Sequence, residues 1–189
     1  AQSRNEKARS YYRKALAINR EHARRPLLAQ NLSDLGYLHL EEGHLASADS
    51  LLWSAVQRTG DLLQSASGIS RRSYLSQKIT KFHALATTRV RQGRPEAAFQ
   101  VLEWSRAHLT DRERLGTPSS PAIPPVDSLQ EVLAPDEAAV LYANVSTYLP
   151  AVALVVRRDS VYAHETDSAR LRRLNRAFAT SLLQLQRST

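Results

Sequence analysis

Six histidines and no cysteine bound the chemistry open to this chain of 189 residues. Without cysteine it has no thiol nucleophile, no thiolate-held zinc and no disulfide. His39 and His44 stand five residues apart and straddle Gly43. That glycine marks a turn, and the two histidines read as surface or packing residues rather than metal ligands. His83 reads as a helix residue, and neither Lys81 nor His108 completes a recognisable set with it. His164 neighbours Glu165 in a strand pattern, where adjacent side chains point to opposite faces, so the two do not pair. Asp34, Glu41 and Glu42 resemble paired carboxylates, but they lie on a polar helix face beside the turn, where solvation explains them. The six glycines stand singly, so there is no loop to cradle phosphate. The expectation is a chain that is not itself an enzyme, with no catalytic residue, no metal site and no cofactor.

The elements that carry these residues are organised around positions 29–62. Leu32, Leu35 and Gly36 precede Gly43, and Ala48, Leu52 and Ala55 follow it. Small residues fall where two helices must touch and large apolar ones where they interlock. This is the layout of one helix-turn-helix unit of about 34 residues. Positions 79–110 repeat it without gaps: Phe82, Leu85 and Ala86, then Gly93, then Ala98, Leu102 and Ser105. Upstream, Ala8, Tyr12 and Ala15 match Ala48, Leu52 and Ala55 and supply a second helix alone. Ala48 and Ala98 are 50 positions apart, so the helices or their connector must be longer than the minimal repeat. The spacing predicts helices over 2–22, 26–42, 71–92 and 95–109. Another starts at 45 and runs at least to 59; either Gly60 ends it, or Leu62 and Leu63 carry it to 67.

Residues 116–126 read GTPSSPAIPPV, and four prolines in eleven residues forbid regular structure. A boundary is placed there, between helical repeats at 1–115 and a second segment at 127–189. In that segment a short helix is expected at 127–133 and strands at 138–145, 149–157 and 161–165. The middle strand is almost wholly apolar and is expected to be buried on both faces. Thr166 or Asp167 caps a final amphipathic helix with a stripe of Leu171, Leu174, Phe178, Leu182 and Leu185. The expected fold class is mainly α: an α-α superhelix followed by a small α/β segment, a β-meander plus a helix.

The small-residue spacing resembles a tetratricopeptide repeat array, although His39 and Arg89 stand where that family usually has an aromatic. The second half is similar to the opening of a CHAT domain, the caspase-like module found with such repeats. The matching residues are Leu129 to Leu133, Pro135 with Asp136, the strand at 138–145 and the Arg157–Asp159 turn. The CHAT resemblance implies a cysteine-peptidase family whose His-Cys dyad lies downstream of the matched segment; no catalytic residue carries over. The repeat resemblance implies a concave groove lined by the first helix of each pair. The matching positions are Gln30, Ser33, Tyr37, Leu40 and Glu41 in one unit, and Thr80, His83, Thr87, Val90 and Arg91 in the next. Such a groove holds a protein or peptide partner, or packs against the rest of its own parent chain.

Composition leaves this reading room. Hydrophobic content is 42% and charged content 23%, ordinary for a globular chain. The net charge of +8 admits a nucleic-acid-binding alternative. The arginine pairs at 24–25, 71–72, 157–158 and 172–173 are dispersed, however, and aromatics are not interleaved with them, so solvated helix faces explain the charge better. The longest apolar run, 151–156, is far short of the roughly 20 residues of a membrane-spanning helix. The chain begins at Ala1, inside a repeat and without methionine, and is expected to be a piece of a larger bacterial protein, cytoplasmic and not bound to membrane. The leading expectation is a non-catalytic interaction and regulatory fragment. The alternatives are part of a caspase-like cysteine peptidase and a basic nucleic-acid-binding helical protein. A homodimer through residues after 125 is also expected, because one terminal helix covers only one face of the strands.

Overall fold

The computed structural model describes residues 2–65, 68–110, 125–143 and 151–166. Five helices come first: α1 (Gln2–Glu21), α2 (Arg25–Glu41), α3 (Leu45–Ser65), α4 (Gly68–Arg91) and α5 (Pro95–Thr110). A short α6 (Val126–Gln130) follows, then β1 (Ala139–Ala143), β2 (Ala151–Arg157) and β3 (Ser160–Thr166). The chain is therefore mainly α with a small sheet. The proline-rich residues 116–124 and the amphipathic stripe from Leu171 to Leu185 lie outside the described residues.

Three helix-to-helix turns share one backbone device. Arg24 N–H donates to Asn19 O at 3.0 Å, His44 N–H to His39 O at 2.9 Å, and Arg94 N–H to Arg89 O at 2.9 Å. These six-to-one bonds need a left-handed residue just past the helix end. Gly43 and Gly93 supply it at φ +78° and +71°, and Ala23 supplies it at φ +49°. Pro26 and Pro95 then stand in the first turn of α2 and α5, where a missing N–H costs nothing.

Consecutive helices pack pairwise, and α2 also touches α4. Apart from the turn glycines Gly43 and Gly93, every repeat position singled out above in α2–α3 and α4–α5 is buried, Ala48, Leu52, Ala55, Phe82, Leu85, Ala86 and Ala98 completely. Gly36 shows why small residues sit there: a Cβ on it would lie 2.8 Å from Leu52 Cγ. In α1, Ala8, Tyr12 and Ala15 are half-buried, as suits a helix packed on one side. The long separation of Ala48 from Ala98 resides in the helices, since α3 has 21 residues and α4 has 24. Gly60 does not end α3, and α4 starts at Gly68, earlier than the pattern indicates.

The sheet is an antiparallel meander in the order β1-β2-β3. Leu141 faces Leu154, which faces Ala163; Ala143 faces Val152. Leu141, Ala143, Val152, Leu154 and Val156 join Val126, Leu40, Phe82 and Phe99 in one hydrophobic core, so the helices themselves cover one side of the sheet. Ala153 and Val155, pointing the other way, are only half-buried, although Ala151 is fully so. Over most of its length, then, β2 is less enclosed on that second face than its composition indicates. Val140, Tyr142 and Tyr162 of the neighbouring strands stand exposed. No helix among the described residues is long and apolar enough to cross a membrane.

Candidate interaction surface

The positions matched to a groove do not all have a surface. Leu40 and Thr87 are fully buried and Ser33 nearly so. A side chain without accessible surface cannot touch a partner, so these three leave the candidate set. Tyr37 and Val90 are half-buried and pack on the main core. Gln30 is half-buried, and its amide donates to Asp34 Oδ1 at 2.7 Å. Arg91 turns to the sheet, with Nε 2.6 Å from Glu165 Oε1 and Nη2 3.3 Å from Oε2. His164 and Glu165 do point apart: His164 is exposed, while Glu165 reaches α4. Glu41 and Thr80 are exposed and His83 half-exposed. The helix faces expected to form an open groove are thus largely consumed by packing on neighbouring helices and by the sheet at the Arg91 end.

A better-formed concavity lies elsewhere. A cavity of about 280 Å³ opens between α3 and α5, lined by Trp53, Val56, Arg89, Gln100, Val101 and Trp104. These include both tryptophans of the chain. Arg89, at the end of α4, is almost buried; its Nε donates to Asp49 Oδ1 at 3.1 Å and its Nη1 to the Ala97 carbonyl at 3.1 Å. Its Cζ lies 5.0 Å from the Trp53 ring centroid, a cation–π distance. Arg94 adds a second, looser contact to Asp49 Oδ2 at 3.9 Å. On the opposite wall Trp104 packs on Phe82, with ring centroids 5.0 Å apart. Both walls are therefore held by contacts within the protein.

No family model, curated protein or solved structure matches the chain.

The lining of the cleft, among the described residues, holds apolar faces, the amide of Gln100 and a guanidinium paired with Asp49. Trp53 remains 42% exposed, although a tryptophan gains by burying its large ring. A reading by groove positions passes over both tryptophans because they lie on the second helices. The available signal was their register: Trp53 and Trp104 fall one position apart when the two units are superimposed on Ala48 and Ala98.

Proposed function

We propose that the chain is a non-catalytic protein-interaction and regulatory module, which takes an aromatic or large apolar side chain of a protein or peptide partner into the cleft between Trp53 and Trp104. The observation that carries this is the half-exposed Trp53 ring over an Arg89 already fixed by Asp49 and Ala97. Pre-organised walls reduce the ordering cost of binding, and central aromatic residues with arginine are the usual energetic anchors of interfaces. The repeated helix pairs support a scaffold of tetratricopeptide type, and the order of α6, β1, β2, tight turn and β3 supports a caspase-like character for the second segment. A cytoplasmic setting belongs to the same proposal. A nucleic-acid surface finds less support, since Arg9, Arg89, Arg91 and Arg106 each pair with a carboxylate.

The test is selection of binding peptides from a random display library against the full chain, followed by titration of the purified peptides with tryptophan fluorescence as the readout. The expected peptides share an aromatic anchor, and Trp53→Ala weakens them by about tenfold or more, as at interface hot spots. Peptides indifferent to Trp53→Ala but lost with Glu41→Arg or Thr80→Arg would move the site to the groove and overturn the cleft.

A further inference from the structure

The turn between α2 and α3 gathers three groups that the interaction surface leaves unused. His39 stands in the last turn of α2, Glu42 caps that helix, and His44 follows Gly43. The six-to-one backbone bond runs between the two histidines themselves, so the main chain holds their side chains close. Their ring centroids are 5.6 Å apart. Glu42 Oε2 lies 3.3 Å from His44 Nδ1. One ligand atom from each of the three residues lies within 4.8 Å of the other two.

Those distances match a recognisable geometry. In a tetrahedral zinc site with bonds of about 2.0 Å, neighbouring ligand atoms are about 3.3 Å apart. The Glu42–His44 pair already has that spacing, and a closure of His39 by up to about 1.5 Å completes the set, within reach of side-chain rotation. The His44 side chain is 55% exposed, so nothing crowds the set from that side. His39 Nδ1 is buried, yet it has no hydrogen-bond partner among the described residues. Buried polar atoms rarely go unsatisfied without a reason. Burial lowers the His39 pKa below the ordinary 6.5, against the Glu42 carboxylate, which raises it; His44, Arg9 and Arg13 lower it further.

The turn as such does not require this set. At the equivalent positions between α4 and α5 the residues are Arg89, Gln92 and Arg94, and the same backbone bond forms. There the clamp is fixed by Asp49 of the preceding unit. Arg9 holds the position in α1 that Asp49 holds in α3, and its Nη1 lies 3.4 Å from Glu42 Oε2.

We propose that His39, Glu42 and His44 bind a divalent transition-metal ion, zinc above all, with water completing the coordination. Two imidazoles and one carboxylate suit zinc, whereas magnesium and calcium require oxygen ligands. The cation displaces Arg9 from Glu42, so loading the site loosens one bridge between α1 and the helix pair that follows. The positive charge of Arg9 and Arg13 opposes the ion and keeps the affinity moderate.

The experiment is calorimetric titration of the full chain with zinc chloride, with cobalt(II) absorption as an independent report on the ligands. One zinc ion per chain is expected, and cobalt should give the intense visible bands of a four-coordinate nitrogen and oxygen site. His44→Asn, at an exposed side chain, and His39→Asn should each weaken zinc by about tenfold or more, since each removes one of three protein ligands. Arg9→Gln should tighten it severalfold, while His164→Asn on β3 should leave it unchanged. Helical circular dichroism identifies any variant that has lost its fold, and the cobalt spectrum of the unaltered chain needs no variant at all. Failure to bind zinc stoichiometrically, unchanged binding in a His39→Asn, His44→Asn double variant, or equal loss with His164→Asn would each overturn the proposal.

Discussion

Trp104 rests where a side chain on Gly60 would have to be: a Cβ there would lie 2.7 Å from the indole. The glycine in α3 is thus an opening for the aromatic ring of α5, which packs at once on Phe82. An exposed helical Gly→Ala change ordinarily stabilises by about 0.5–1 kcal/mol. Here the methyl group forces the ring away, and Gly60→Ala should destabilise by about 1–2 kcal/mol in a denaturant melt, with altered tryptophan emission. A more stable variant with unchanged emission would show that Trp104 is not wedged there.

The two helix-end positions at 23 and 43 predict opposite signs. Ala23 holds φ +49° with a side chain, whereas Gly43 holds φ +78°, and a Cβ on it would meet no heavy atom within 4 Å. Ala23→Gly should stabilise by up to about 1 kcal/mol, and Gly43→Ala should destabilise by about 1 kcal/mol through backbone strain alone. Equilibrium urea unfolding of both variants checks the pair.

Ala48 is fully buried at the α2–α3 contact, and Ala98 holds the corresponding place in α5. Ala48→Leu should overpack the contact and lower stability by about 1–3 kcal/mol. A thermal melt unaffected by this change would remove the reason for small residues at the repeat positions.

Asp49 and Arg89 join the end of α4 to α3 while the guanidinium also supports Trp53. Their side chains are only 22% and 10% exposed, so solvent screens the pair incompletely. A double-mutant cycle with Asp49→Ala and Arg89→Met should return a coupling of about 1–2 kcal/mol. Arg89→Met should also change Trp53 emission; a coupling near zero would mean that Arg89 is held by Ala97 alone.

Val140, Tyr142 and Tyr162 expose apolar surface on the sheet face opposite the helical core. Self-association through this face is the expected outcome at high concentration, and sedimentation equilibrium should show a dimer. Tyr142→Asp with Tyr162→Asp should return the chain to a monomer. A monomeric unaltered chain, with the amides of β2 protected from hydrogen exchange, would mean that the face is already covered within one chain.

The helix pairs, their turns and the small-residue contacts were legible in the sequence because they are local. Residues 3 and 4 apart share a helix face. A glycine followed by a proline or polar residue marks a reversal, and Gly43 and Gly93 do so at the expected places. Spacing says which face of an element is apolar, but not which neighbour will cover it. Leu40 and Thr87 could be assigned to a groove face, and only assembly showed that they have no accessible surface. Spacing left open whether Gly60 ends α3 or lies within it, because its partner, Trp104, lies 44 positions later and fills the gap from another helix. The apolar run of β2 promised equal burial on both faces, whereas docking on α4, α5 and α6 encloses one more fully than the other. Spacing likewise leaves open the Trp53–Trp104 cleft and the distances within the His39–Glu42–His44 cluster. The first depends on which helices become neighbours, and the second on a left-handed glycine folding His44 back onto His39. Composition and periodicity determine each element and its apolar stripe; the distances that create a site arise only when separate elements compete for the same space.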